Sequence, residues 1–246
     1  MVKLKSKLLY FTKGEILLWS LSVLGIVASF LIFDRGNYLA LTASCIGATS
    51  LIFIAKGNPI GQMLTIVFSV LYGIISFTFA YYGEMLTYLG MTMPMAAIAL
   101  ISWLRHPYNG NRAEVQVNRI KSKEIVFMFL MTALVTVCFY FILAYFHTAN
   151  LIPSTISVTT SFLAVYLTFR RSPFYALAYA ANDVVLIVLW LLATLSDISY
   201  VSVLVCFIMF LANDVYGFYN WRRMQQRQQR APELLDTASI CIYNEK

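Results

Sequence analysis

Long runs of apolar residues, separated by short polar or basic segments, dominate the pattern of the chain. Each run approaches or exceeds the roughly 20 residues that an α-helix needs to cross the core of a bilayer. They predict eight membrane spans, at residues 16–33, 38–55, 60–82, 84–103, 124–146, 154–169, 173–195 and 198–221. The composition agrees, since 60% of the 246 residues are hydrophobic and only 12% are charged. The sequence therefore predicts an all-α integral membrane protein.

The basic residues fix the expected orientation of these spans. With residue 1 in the cytoplasm, every Lys and Arg except Arg35 falls on the cytoplasmic side, as the positive-inside rule requires. We therefore expect both termini to be cytoplasmic and span 16–33 to be a mature helix rather than a signal peptide. The basic residues are scattered among short loops and build no groove, so the net charge of +7 predicts topology and not a nucleic-acid partner.

Cysteine and histidine are too few and too dispersed for metal or redox chemistry. The four cysteines form no CxxC motif, and His106 and His147 lie in separate loops. No nucleophile and base occur at a spacing that suggests catalysis. The sequence predicts no cofactor, no metal site and no enzyme activity.

Two halves of the chain carry matching landmarks. A basic loop followed by proline occurs at Lys56 to Pro59 and again 114 residues later, at Arg170 to Pro173. A third span ending in Trp and Arg occurs at Trp103 and again 118 residues later, at Trp221. These offsets predict two three-helix repeats joined by one linker helix, which gives both repeats the same orientation in the membrane. We therefore expect the substrate to bind between the repeats.

The duplication divides the chain into five parts. They are a cytoplasmic N-terminus with an extra helix, a first repeat, a loop with the linker helix, a second repeat and a cytoplasmic tail, at residues 1–37, 38–105, 106–150, 151–223 and 224–246.

Two copies of the tripeptide Ala-Asn-Asp lie inside apolar spans and are the leading candidates for function. Asp183 lies about 15 Å from the start of its span, near the middle of the bilayer, and shares a face with Trp190. In the last span Asn213, Tyr216 and Asn220 recur at helical spacing, with Asp214 adjacent. A carboxylate at this depth is costly and usually faces a bundle interior or a water-filled path.

No Lys or Arg falls within a predicted span, so neither carboxylate has a cation to neutralise it. Three options remain: protonation, hydrogen bonds from Asn, Tyr, Trp and water, or a cationic ligand. Trp190 and the tyrosines suit a flat cation through stacking and cation–π attraction. Alternatively, the two Asn-Asp pairs are interhelical hydrogen-bonding contacts.

Other polar and aromatic positions leave alternatives open. Gln62 adds either an amide contact from the first repeat or a contact at the start of its helix. Pro94 either kinks its helix as a gating hinge or is accommodated locally. Trp103 and Trp221 are expected in the interfacial aromatic belt. The first repeat has Phe68 and Ser69 where the second has Asn182 and Asp183, which predicts an asymmetric site with polar recognition from the second repeat.

Four groups of residues together carry a family resemblance. They are Lys56-Gly57-Asn58-Pro59-Ile60-Gly61-Gln62, Ser172-Pro173-Phe174-Tyr175, Ala181-Asn182-Asp183 with Trp190, and Asn213-Asp214 with Tyr216-Gly217-Phe218-Tyr219-Asn220-Trp221. With these features the chain resembles, over about residues 38–223, the PnuC family of bacterial nicotinamide riboside transporters. The resemblance implies a 3+1+3 helix fold like that of the SWEET sugar transporters and a location in the bacterial inner membrane. It also implies facilitated diffusion with trapping by a separate kinase, and homo-oligomers.

The resemblance names a substrate that suits the unpaired carboxylates, because nicotinamide riboside carries a fixed positive charge. Thiamine is also cationic and stays an alternative substrate, and a non-transporting receptor or scaffold stays an alternative function. The expected substrate-binding residues are Asn182, Asp183, Trp190, Asn213, Asp214, Tyr216, Asn220 and Gln62.

Overall fold

The computed structural model describes residues 10–78, 82–148 and 150–244, without the side chains of Thr78 and of 231–244. The predictions made for residues 1–9, for the end of span 60–82 and for Lys246 lie outside the described residues.

Within the described residues, eight helices are long and apolar enough to cross a membrane, which confirms the predicted number of spans and a multi-pass membrane protein. The bounds differ from the predicted ones by a few residues, apart from the last helix, which continues well beyond its span. The helices are α1 Lys13–Phe33, α2 Tyr38–Ala55, α3 Pro59–Thr78, α4 Tyr82–Arg105, α5 Ser122–Tyr145, α6 Leu151–Phe169, α7 Tyr175–Thr194 and α8 Val201–Asn244.

Local sequence explains where these helices begin. A capping box starts α1, because the Thr12 side chain accepts from Glu15 N and the Glu15 carboxylate accepts from Thr12 N. Pro59 opens α3 directly after a turn in which Gly57 has a φ of +68°. Arg171 adopts the same left-handed conformation before α7, at the position 114 residues later.

The helices pack as two equivalent units. In the first unit α3 lies between α2 and α4, and in the second unit α7 lies between α6 and α8. The units meet where α4 packs on α6 and where α8 packs on α2, so the third helix of each contacts the first helix of the other. This reciprocal pairing is what a twofold axis along the membrane normal requires, and it agrees with the predicted fold class.

Side-chain hydrogen bonds repeat across this pseudo-twofold axis. Trp221 Nε1 donates to Ile54 O at 2.8 Å, and Trp103 Nε1 donates to Thr168 O at 2.9 Å. The two tryptophan donors are 118 residues apart and the two acceptor residues are 114 residues apart, which are the offsets of the repeats. The two indole rings also contact each other, with centroids 5.4 Å apart.

The prediction that these tryptophans belong to an interfacial belt is wrong. Trp103 and Trp221 are 1% and 0% exposed, and they meet where the two units pack together. Sequence placed them near the membrane surface, but the reciprocal packing of the units turns them inward.

The helices outside the two units are also equivalent. The N-terminal helix α1 packs on α2 and α8, and the linker helix α5 packs on α6 and on the start of α4. Each begins with a glutamate that pairs with a basic residue after the next helix, Glu15 with Lys56 and Glu124 with Arg170. The extra helix and the linker helix therefore extend each three-helix unit to four helices.

We call the end of the bundle that carries the loops 56–58, 106–121 and 170–174 the basic end, and the opposite end, with Asp34 and Asp197, the acidic end. At the basic end a short antiparallel hairpin, β1 Pro107–Tyr108 and β2 Asn111–Val115, precedes α5. Val115 N donates to Gly57 O and Asn118 N donates to Arg171 O, so this segment is tied to equivalent turns of both units. The sequence did not predict the hairpin.

A π-helical turn, Thr87–Thr92, interrupts α4 directly before Pro94. Proline has no N–H and its ring clashes with the carbonyl four residues earlier, so the hydrogen-bonding pattern shifts there. Pro94 is therefore accommodated next to a π-helical turn, and its role as a gating hinge stays a prediction.

The equivalence of the two tryptophans predicts matched losses of stability. Replacing Trp103→Phe or Trp221→Phe removes one hydrogen bond to a backbone carbonyl, so each should lower the free energy of unfolding in mixed micelles by about 1 kcal/mol. Trp221→Ala should cost about 3–5 kcal/mol because it leaves a cavity. Phe129→Ala on the exposed face of α5 is the control. If Trp221→Ala and Phe129→Ala lowered the free energy of unfolding by the same amount, the inward packing of Trp221 would be contradicted.

Candidate functional site

A small cavity of about 60 Å³ lies between the two units, and two carboxyl groups line it. Asp183 comes from α7 and Asp214 from α8, and each is 3% exposed. The two carboxyl groups lie within hydrogen-bonding distance of each other, and Asp183 Oδ2 has no protein partner in the described part of the chain. The sequence separates these residues by 31 positions, and the packing of α7 on α8 brings them together.

The cavity lies on the pseudo-twofold axis, because equivalent positions of both units line it. Four pairs separated by the repeat offsets contribute to its wall: Gly47 with Ser161, Thr65 with Tyr179, Phe68 with Asn182, and Thr92 with Phe210. This position is the one expected for a site between the repeats.

The two sides of the cavity differ in chemistry. On the second-unit side, the Asn182 Oδ1 atom accepts from Ser157, Thr160 and Ser161 on α6. Elsewhere in the wall, Phe68 of the first unit packs edge-on against Phe210 of α8 in the second unit, with ring centroids 5.8 Å apart. Gly47 permits this contact, because a Cβ there would lie 2.4 Å from Phe210 Cζ. The cavity therefore has a polar wall at the contact of α6 with α7 and an aromatic wall at the contact of α3 with α8.

No Lys or Arg lines this cavity among the residues that the structure describes. Two ionised carboxylates in contact repel each other, and neither has a hydrogen with which to bridge to the other. The pair therefore requires a shared proton or a neighbouring cation.

Aromatic rings close the cavity on both sides. Toward the acidic end, Tyr88 lines the cavity and contacts Tyr72, with ring centroids 4.5 Å apart. Toward the basic end, Tyr175 contacts Trp221 at 4.9 Å, and Trp221 in turn contacts Trp103. A volume of about 60 Å³ holds a few water molecules, whereas ligand pockets usually exceed 300 Å³, so the site is closed in this conformation.

Trp190 lies on the acidic-end side of this closure, about 10 Å along α7 from Asp183. Its ring contacts Tyr200 at a centroid distance of 5.4 Å, and both residues line two cavities of about 320 and 300 Å³. One cavity includes Asp34 and the other includes Glu84 and Asp197.

The carboxylates near these outer cavities differ in environment. Burial raises the pKa of Asp34, and the nearby Asp197 charge adds to this effect. The Ser199 backbone N–H donates to Asp197 and lowers the pKa of that carboxyl. Asp197 therefore stays ionised and gives the acidic end a negative charge.

Three other candidate residues on α8 do not line the central cavity. Asn213 Nδ2 donates to Ser22 Oγ at 2.8 Å, Tyr216 Oη donates to Glu15 Oε1 at 2.8 Å, and Asn220 Nδ2 donates to Ala55 O at 2.8 Å. The polar stripe predicted from their spacing exists, but in this conformation it faces α1 and α2. Asn220 is also the counterpart of Ser102, which donates to Phe169 O.

Gln62 is 2% exposed near the start of α3 and also lies outside the central cavity. Its Nε2 atom has no hydrogen-bond partner within the described ranges.

Sequence reasoning missed several residues of the site. Tyr72, Tyr88 and Phe210 are aromatic residues in apolar spans, and nothing local distinguishes them from packing residues. For Ser161 the sequence does offer a signal, because six of the eight residues from Ser154 to Ser161 carry hydroxyl groups within a predicted membrane span.

Comparison with known proteins places this architecture in a family of transporters. The family model described as "Nicotinamide mononucleotide transporter" matches residues 37–223. The nicotinamide riboside transporter PnuC of Neisseria mucosa is 27% identical over 216 residues, which cover 85% of this chain and 81% of that protein.

The crystal structure of the vitamin B3 transporter PnuC has the same fold. It matches with a TM-score of 0.76 and 22% identity, over 89% of this chain and 94% of that one. The resemblance to the PnuC family is thereby confirmed, and the matched family consists of transporters, not enzymes. The chain belongs to the nicotinamide mononucleotide transporter family.

Proposed function

We propose that this protein transports nicotinamide riboside across the bacterial inner membrane. The observation that carries the proposal is the buried contact of Asp183 with Asp214 in a cavity that no described Lys or Arg lines. A substrate with a permanent positive charge supplies what this pair lacks. The relative from Neisseria mucosa, named as a nicotinamide riboside transporter, supports the same substrate.

The chemistry of nicotinamide riboside suits both walls of the cavity. Its flat pyridinium ring can stack on aromatic residues such as Phe68 and Phe210, and its charge is balanced by the carboxyl pair. Its carboxamide and ribose hydroxyl groups can exchange hydrogen bonds with Asn182 and the carboxylates.

The same electrostatics favours the riboside over the mononucleotide in the family description. The mononucleotide carries an added phosphate, which is usually bound by Arg, Lys or a helix N-terminus. A phosphate beside Asp183 and Asp214 would place like charges together in a site of low dielectric.

We assign the candidate residues different roles. Asn182, Asp183 and Asp214 bind the substrate in the central cavity, and Trp190 receives it from the acidic end. Gln62 offers its unpartnered amide when the units separate. Asn213, Tyr216 and Asn220 reach substrate only in a conformation in which α8 moves away from α1 and α2.

Transport then requires the aromatic contacts on the acidic-end side and on the basic-end side of the cavity to open alternately. The first and second units, residues 38–105 and 151–223, move against each other about the central site. Facilitated diffusion needs no other energy source, and a separate cytoplasmic kinase traps the substrate by phosphorylating it. The basic end faces the cytoplasm, with both termini on that side, because the positive-inside rule places Lys and Arg there.

Self-association is a further part of the proposal. The linker helix α5 exposes a face of large apolar side chains that includes Phe127, Leu130, Leu134 and Phe141. This face serves either lipid or a second copy of the chain, and crosslinking in native membranes distinguishes the two.

Uptake by proteoliposomes tests the substrate directly. We expect saturable equilibration of labelled nicotinamide riboside without an ion gradient, inhibited by excess unlabelled riboside but not by nicotinamide mononucleotide. If the proteoliposomes take up thiamine and not the riboside, the substrate is reassigned to another cationic vitamin. Binding without flux would identify a receptor.

Neutralising either member of the carboxyl pair should weaken substrate binding and uptake. Removing one partner of a buried charge contact costs about 2–5 kcal/mol of binding free energy, so Asp183→Asn and Asp214→Asn should each weaken riboside binding at least tenfold. Glu124→Gln removes a carboxylate at the basic end and should leave binding unchanged. Wild-type binding and uptake in both aspartate variants would refute the proposed site.

Cysteine labelling tests the orientation. In a chain without its native cysteines, Arg35→Cys at the acidic end should react with a membrane-impermeant thiol reagent in intact spheroplasts. Arg112→Cys in the basic-end hairpin should react only after permeabilisation. The reverse pattern would contradict the assigned orientation.

A further inference from the structure

The amide of Asn182 is held in one orientation by three hydroxyl groups of the neighbouring helix α6. Its Oδ1 atom accepts from Ser157 Oγ at 3.2 Å, Thr160 Oγ1 at 2.9 Å and Ser161 Oγ at 3.0 Å. A carbonyl oxygen has two lone pairs, so the Ser157 and Ser161 hydroxyl groups alone can use its whole accepting capacity. The Nδ2 atom is the remaining hydrogen-bonding group, and Asn182 lines the cavity that contains the carboxyl pair.

Two of these hydroxyl groups, on Ser157 and Ser161, depart from what Ser and Thr usually do inside a membrane helix, whereas Thr160 Oγ1 also lies 3.0 Å from the backbone oxygens of Ile156 and Ser157. Elsewhere on α6, Thr155, Thr159 and Thr168 each donate to the carbonyl four residues earlier in the same helix. Ser157 and Ser161 donate to Asn182 instead. Their hydrogen bonds therefore fix a side chain of another helix.

The first unit provides an internal comparison, because it lacks both halves of this arrangement. The positions equivalent to Ser157, Thr160 and Ser161 are Ala43, Ile46 and Gly47, and the position equivalent to Asn182 is Phe68. In that unit, Gly47 lies against the Phe68 ring, and a Cβ there would approach Phe68 Cδ2 to 3.1 Å. The second unit thus has both the hydroxyl groups and the asparagine, and the first unit has neither.

Resting on the proposed transport function, we propose that Ser157, Thr160 and Ser161 are positioning residues that make Asn182 a pure hydrogen-bond donor toward the substrate. The group it recognises is an uncharged acceptor, such as the carboxamide oxygen of a pyridinium riboside. An anionic acceptor at the same place would meet the Asp183 and Asp214 carboxyl groups. The trio thereby selects the amide form of the substrate over the corresponding carboxylic acid.

The direct test measures riboside binding and uptake for Ser157→Ala/Ser161→Ala in proteoliposomes. With only the Thr160 hydroxyl left near its Oδ1 atom, the Asn182 amide can rotate, so KM should rise about fivefold to tenfold while the maximal rate stays within twofold. The single variant Ser161→Thr, in which Ser157 is unchanged, retains a hydroxyl group at position 161 and should keep the original KM. Thr155→Val, on the same helix, removes a hydroxyl that bonds only its own backbone and is the matched control.

A double-mutant cycle separates positioning from general damage to the helix. If the hydroxyl groups act through Asn182, then removing Ser157 and Ser161 from an Asn182→Ala chain should change KM no further. The same non-additivity should hold for the melting temperature of the ligand-free protein. The proposal would be overturned by an unchanged KM in Ser157→Ala/Ser161→Ala. It would also be overturned if removing the two serines raised KM by the same factor in the Asn182→Ala background as in the unchanged chain.

Substrate discrimination gives a readout that packing damage would not produce. The unchanged chain should prefer nicotinamide riboside to nicotinic acid riboside as a competitor, and Ser157→Ala/Ser161→Ala should narrow that preference. If the unchanged chain takes up no nicotinamide riboside, the proposed function itself fails. If it does and the preference is unaltered in the variant, only the positioning role is refuted.

Discussion

The contact between Asp183 and Asp214 is the constraint on which the rest of the structure depends. Two carboxyl groups, each 3% exposed, meet in the middle of a membrane bundle, and no described Lys or Arg lines their cavity. Such a pair is unfavourable unless a proton or a cation accompanies it. The fold supplies walls of hydroxyl, amide and aromatic groups around the pair, and leaves the compensating charge to something that enters the cavity.

Duplication explains how one cavity acquires two different walls. The two units share their backbone plan so closely that Trp103 and Trp221 make equivalent hydrogen bonds to Thr168 and Ile54. At the cavity the same equivalence places Phe68 opposite Asn182 and Gly47 opposite Ser161. The scaffold is symmetric, while the side chains that line the cavity differ between the two units at a few positions.

The sequence predicted the elements and symmetry well, because apolar length, proline and charge act locally. It predicted eight spans, the repeat offsets and the carboxylates, whose cost in a bilayer is evident from the residue alone. It could not assign faces: Asn213, Tyr216 and Asn220 lie on one helical stripe, but that stripe meets α1 and α2, whereas Asp214 beside it reaches the cavity. Which face turns inward depends on packing between distant helices, as the inward turn of Trp103 and Trp221 also does.

The central claim is that the carboxyl pair binds a positive charge, and one comparison of ligands tests it most directly. Nicotinamide riboside and its dihydro form have nearly the same shape, but only the oxidised form carries the pyridinium charge. The account predicts that purified protein binds the charged form at least tenfold more tightly, and that Asp183→Asn and Asp214→Asn reduce this preference. Equal affinity for the two forms in the unchanged protein would contradict it.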